Sequence, residues 1–167
     1  VNTLMASLLN LQTGYKVAVV TDTNPQIEMG RDIESRINMV AQDPMNLEIL
    51  NEEILLRIDI LIIELCRAAG VSPLHVYEII VCGSTGMLDL FLKAIPSVSE
   101  QVKFFENKGK VAFLAKQAEI RSSSRAKVYT LPVISSYVGA DITAGIIATE
   151  LHQSNGTMIF LDLGTVI

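Results

Sequence analysis

Ile79-Ile80-Val81-Cys82-Gly83-Ser84-Thr85-Gly86 is the stretch that decides the fold. An apolar run stops at two glycines that bracket two small hydroxyl side chains. Residues 75–82 read as a strand whose last four positions are apolar on both faces, the pattern of a central strand in an α/β sheet. The glycine loop breaks that pattern, and residues 87–94 then read as a helix. Strand, glycine loop and helix in succession form the repeating unit of α/β architectures.

Downstream, the same unit recurs. Residues 127–134 read as a strand, with Pro132 pointing to a sheet edge or a strand end. Tyr137-Val138-Gly139-Ala140-Asp141 then turns into a helix over residues 142–152. Asn155-Gly156 is a turn, and residues 157–163 read as a last strand running into Asp162-Leu163-Gly164-Thr165. Residues 95–125 are the least legible and read as a surface excursion with a little helix near residues 111–118.

Upstream, residues 4–11 and 15–21 are two strand-like runs. Gln12-Thr13-Gly14 between them makes a hairpin turn, with glycine supplying the positive φ. Asn24-Pro25-Gln26 is a turn, and a short helix follows Gly30 over residues 32–41. Asp43-Pro44 starts a longer helix, and Gly70 ends it. Leu47, Leu50, Ile54, Ile58, Leu61 and Leu65 recur every three or four residues along it, a continuous apolar stripe that predicts core. The layout is a single α/β domain in which helices cover a mixed sheet.

Composition narrows the functional classes. Thirteen basic against eighteen acidic residues give a net charge of −5, with no Lys/Arg run, which argues against binding nucleic acid or an acidic membrane surface. Half the residues are hydrophobic, too many for a disordered tail. No apolar stretch approaches the ~20 residues a membrane span needs. The N-terminus shows neither the basic nor the apolar part of a signal peptide, so a cytoplasmic protein is expected. Two cysteines, Cys66 and Cys82, read as reduced thiols and are too few for an iron–sulfur cluster.

Ligands of open α/β sheets bind beyond the carboxyl ends of strands. Three loops there carry glycine and small polar residues. Gly83-Ser84-Thr85-Gly86 could turn backbone N–H groups toward an anion. Asp141, after Gly139, sits where either a helix-capping carboxylate or a cleft carboxylate would sit. Asp162-Leu163-Gly164-Thr165 pairs a carboxylate suited to a hydrated Mg²⁺ with a glycine and a threonine suited to phosphate. His75 and His152 lack partners at metal-binding spacing. Asp32, Glu34 and Arg36 read as a solvated charged face, and Arg121, Arg125 and Lys127 as surface.

Taken in order, these segments resemble one family: the ATP-dependent reductive activators of corrinoid proteins, within the superfamily of acetate and sugar kinases, heat-shock chaperones and actin. Asn24-Pro25-Gln26, residues 30–37, residues 83–87, Leu131-Pro132 and Asp162 to Thr165 all contribute. Val138-Gly139-Ala140-Asp141-Ile142-Thr143-Ala144-Gly145 is the most specific part. The resemblance implies a ribonuclease-H-like, actin-like ATPase lobe. Residues 1–167 would form the first lobe, ending at the second phosphate loop.

The resemblance also implies an activity. The parent protein would use ATP to return a Co(II) corrinoid protein to Co(I), with a [2Fe–2S] cluster in a domain outside this chain. Its partners would be a corrinoid protein of a methyl-transfer system and the remaining parent domains. Gly83, Ser84, Thr85, Gly139, Asp162, Gly164 and Thr165 would face ATP, with Asn24 and Gln26 at the cleft edge. Asp141 would be the catalytic carboxylate and, with Asp162, a Mg²⁺ ligand. The isolated lobe would be inactive and prone to self-association through its uncovered lobe–lobe face. Two rivals are a sugar- or acetate-kinase-like phosphotransferase lobe and a non-catalytic docking lobe for a corrinoid or electron-transfer partner.

Overall fold

The computed structural model describes residues 1–93, 112–135 and 137–162. The chain opens with a hairpin of β1 (Thr3–Leu9) and β2 (Lys16–Thr23), antiparallel from Thr3↔Thr23 to Leu8↔Ala18, with an irregularity between Leu8 and Leu9. Its turn is built by Asn10, whose Oδ1 accepts from the N–H of Gln12 at 2.9 Å and of Thr13 at 3.1 Å. Gly14 takes a φ of +72°, the left-handed region where glycine carries no Cβ penalty.

Two helices follow, each started by an aspartate. α1 (Ile33–Gln42) has Asp32 as N-cap, accepting from the Ser35 N–H at 2.7 Å, and that bond holds the Asp32 carboxyl below its usual range. α2 (Met45–Ala69) begins where Asp43 Oδ1 accepts from the Met45 N–H at 3.0 Å. It ends at Gly70, whose φ of +67° closes the helix. Of the expected stripe, Leu50, Ile54, Leu61 and Leu65 are buried, while Leu47 and Ile58 are half-buried.

The second sheet holds β3 (Glu78–Val81), β4 (Ala112–Leu114) and β5 (Lys127–Thr130) in the order β3-β5-β4. β3 runs parallel to β5, with Glu78↔Lys127 through Val81↔Thr130, and β4 runs antiparallel to it. The sheet is therefore mixed. α3 (Thr85–Phe91) follows β3, and α4 (Ala140–Ala148) follows β5. One core joins α2 to both sheets: Ile54, Ile62, Cys66, Leu88, Phe91 and Val128 pack together, with Leu4, Leu8, Ile79 and Val81 against them.

Several expectations are corrected. β3 was expected to be central, and Pro132 to mark a sheet edge or a strand end; β5 is instead the central strand, and the strand-end reading of Pro132 holds. β5 ends at Thr130, so Pro132 lies beyond the ladder and blocks nothing, whereas Ile80 of β3 is 62% exposed. Residues 157–162 are neither helix nor strand, and Ile159 and Leu161 are exposed, so no last strand forms there; Leu163 lies outside the described residues. In place of the little helix near residues 111–118 stand β4 and a single 3₁₀ turn, Ala115–Ala118. α4 stops four residues short of His152, where Glu150 adopts a φ of +53°.

Of the charged residues read as solvent-facing, Arg36 is not, while Arg121 is exposed as expected but ion-paired. Arg36 is fully buried: its Nε donates to Gly30 O at 2.8 Å and its Nη1 to Gln26 Oε1 at 3.2 Å. Arg121 grips the buried carboxylate of Asp59, with Nε at 2.8 Å and Nη2 at 2.5 Å, while its own N–H donates at 2.7 Å. That fork fastens the approach to β5 onto α2.

Candidate functional site at the strand-end junction

The loops that follow β3 and β5 meet. Gly83 O accepts from the N–H of Ala140 at 3.0 Å and of Asp141 at 3.3 Å, so the start of α4 is bonded to the end of β3. Thr85 is buried, and its Oγ1 donates to Ser135 O at 2.8 Å, a second link between the loops. Gly139 lies so close to α3 that a Cβ there would stand 2.7 Å from Ser84 Cα and 2.8 Å from Thr85 N. Its φ of −79° is ordinary, so this close approach is what requires glycine.

Two side chains at this junction remain available for chemistry. Ser84 occupies the N-cap of α3 but makes no capping bond, and its Oγ is buried with no hydrogen-bond partner. Buried hydroxyls are nearly always paired, because leaving one unpaired costs about 1–3 kcal/mol. Asp141 is exposed; its Oδ1 accepts from the Ile142 N–H at 2.9 Å. Cys82 adjoins them. Desolvation, then the Asp141 carboxylate, pushes its thiol above the usual value, so it is a poor nucleophile. Sequence reasoning took Cys82 for a plain reduced thiol and passed over Ser135, whose contact uses a backbone carbonyl that no residue pattern announces.

The first N–H groups of α4 are already spent on Gly83 O and on Asp141 itself, so they are not a ready anion cradle. Among the described residues, no three His, Cys, Asp or Glu side chains cluster as a metal site. Mg²⁺ does not require such a cage, since it retains waters and takes one or two carboxylates plus substrate phosphates. Asp141 fits that chemistry by its exposure. Asp162 is exposed on the irregular segment after α4, where Phe160 packs against Gly145. Gly164 and Thr165 lie outside the described residues.

Asn24 and Gln26, expected at a cleft edge, are buried and fully engaged. Asn24 Nδ2 donates to Val1 O at 2.8 Å, and Gln26 Nε2 donates to Leu50 O at 2.8 Å. Arg36 completes this cluster. They are a structural knot beneath the hairpin, with no side-chain atom left for a ligand. Glu53 borders it: its Oε2 is buried without a partner, and burial, followed by repulsion from Glu28, pushes its carboxyl above the usual range against the pull of Arg36.

A family model described as the RACo middle region matches residues 1–154. The chain belongs to this RACo middle-region family. Among curated proteins it is similar to the corrinoid activation enzyme RamQ of Eubacterium limosum, 27% identical over 143 residues, covering 85% of this chain and 24% of RamQ. Among solved structures it is similar to a reductive activator for corrinoid, iron-sulfur protein, with a TM-score of 0.83 and 31% identity over 92% of this chain and 25% of that one. The chain thus spans about a quarter of the length of these two relatives.

Proposed function

We propose that this chain is the first lobe of a ribonuclease-H-like, actin-like ATPase module, in a protein that uses ATP to return Co(II) corrinoid to Co(I). Family membership supports the corrinoid part of this reading. The observation that carries the nucleotide part is the unpaired Ser84 hydroxyl at the junction of two strand-end loops, beside an exposed carboxylate. A phosphate oxygen would give that hydroxyl its missing partner. Gly139 keeps the two loops close enough to act together. Asp141 would orient water or hold Mg²⁺, and Mg²⁺ would supply charge neutralisation for the phosphates. Asp162, Gly164 and Thr165 would complete the phosphate contacts. The partner is a corrinoid protein, and electrons would enter from a [2Fe–2S] domain elsewhere in the polypeptide.

Phosphoryl chemistry is mostly positioning and charge stabilisation, so one wall of a cleft is not sufficient. Residues 1–167 alone are therefore expected to show no ATP turnover, while the longer gene product reduces Co(II) corrinoid only with ATP present. ATP-independent reduction by the longer protein would contradict the assignment. So would turnover by residues 1–167 equal to that of the longer protein.

A further inference from the structure

Gly145 sits in the interior of α4, where glycine weakens a helix relative to alanine. Space is what requires it there. A Cβ at Gly145 would stand 2.8 Å from Phe160 Cε2 and closer still to Cζ, so the ring lies against the bare helix backbone. Phe160 is half-buried in this seat, while Met158, Ile159 and Leu161 around it are exposed, so the ring anchors the segment that leads to Asp162. α4 is itself tied down: its first N–H groups reach Gly83 O, and Thr143 Oγ1 donates to Pro132 O at 2.8 Å. A side chain seated on α4 is therefore registered against both strand-end loops.

Position along the chain gives that seat its meaning. Gly145 lies one helical turn after Asp141, so the two share one face of α4, about 6 Å apart along its axis. The chain leaves α4 at Thr149, turns through residues 150–156 and is back beside Gly145 at Phe160. It is thus returning toward the start of α4, where Asp141 lies. Asp162 is the second residue after Phe160, and two residues of extended chain reach about 7 Å. That reach nearly matches the distance from Gly145 to Asp141. Both carboxylates are exposed. Two carboxylate oxygens on one Mg²⁺ stand no more than about 4 Å apart. A slip of the ring by one turn of α4, about 5.4 Å, exceeds that tolerance.

We propose that Gly145 and Phe160 are positioning residues: the ring seated on the bare turn of α4 sets the register that brings Asp162 level with Asp141, so that both carboxylates serve one Mg²⁺. This device rests on the nucleotide reading above and adds to it what fixes the spacing of the metal ligands. Neither residue touches nucleotide. Both act through Asp162, so they govern binding of Mg-ATP and leave binding of metal-free ATP alone.

Calorimetric ATP titrations of the longer gene product, run with Mg²⁺ and with EDTA, test it. Gly145→Ala, which pushes the ring off its seat, is expected to weaken Mg-ATP binding about tenfold and to leave the metal-free Kd unchanged. Phe160→Ala removes the anchor without crowding the helix. It is expected to show the same metal-specific loss, and it decides the matter if Gly145→Ala does not fold. In Gly145→Ala/Phe160→Leu the shorter side chain makes room for the new Cβ, and most of the Mg-ATP affinity is expected to return. Three results overturn the device: an unchanged Mg-ATP Kd in Phe160→Ala, equal losses with and without metal in the single variants, or no recovery in a folded double variant. A parent protein that binds ATP no more tightly with Mg²⁺ than with EDTA overturns the nucleotide reading and this device with it. Clear Mg²⁺ dependence in the parent with unaffected variants overturns the device alone.

Discussion

The knot at Asn24, Gln26 and Arg36 and the junction at Ser84, Gly139 and Asp141 are both built from small turns rich in polar side chains. Their hydrogen-bond accounts differ. In the knot, the amides and the guanidinium are spent on Val1 O, Leu50 O, Gly30 O and one another. At the junction, the first N–H groups of α4 are satisfied, yet a buried hydroxyl is left unpaired and a carboxylate faces water. A polar group whose partners are all internal holds the fold; one whose partner is missing is waiting for something. The comparison teaches that burial and polarity alone do not identify a binding residue.

The comparison breaks most visibly at the knot. Arg36→Ala strips donors from Gly30 O and Gln26 Oε1 in a buried setting, and it is expected to cost about 3 kcal/mol or more of stability by urea denaturation. A loss below about 1 kcal/mol would show that the knot is not structural. Gly139→Ala is next. Its Cβ would be driven to 2.7 Å from Ser84 Cα, so the loops must part, at a cost of about 1–3 kcal/mol and with loss of Mg-ATP binding in the longer protein. A variant with parent stability and affinity would show that the close approach does not matter.

The smallest effect sharpens the account from the other side. Glu53 has a folded-state pKa raised above the ordinary 4.5, so the folded state prefers its protonated form. Its ionisation therefore weakens the fold as pH rises past the unfolded-state value, and the stability is fully present below it. Glu53→Gln is expected to raise Tm slightly at pH 7, with the gain vanishing toward pH 4. A lower Tm at pH 7 would mean that the attraction of Arg36 outweighs burial.

The sequence made the helices plain because their signals are local. Asp32, Asp43-Pro44 and Gly70 mark ends, and the stripe on α2 marks a face. Strand rank was hidden because it depends on partners far along the chain: Ile79-Ile80-Val81 has a central strand's composition but lies beside an open slot, and Pro132 falls just outside its ladder. Arg36 reads as solvent-facing because two of its acceptors are backbone carbonyls, invisible in any residue pattern. At the candidate site, the meeting of Ser84 with Gly139 and Asp141 was legible from the strand–glycine–helix repeat. Asn24 and Gln26 were misplaced because their turn resembles a ligand loop until its hydrogen bonds are traced.

Ser84→Ala in the longer gene product tests the central claim most directly, read by thermal unfolding and by Mg-ATP calorimetry on the same sample. Removing an unpaired buried hydroxyl leaves Tm unchanged or slightly higher, whereas removing a phosphate contact raises the Kd by about tenfold. An unchanged Kd would contradict the account, whatever the Tm does.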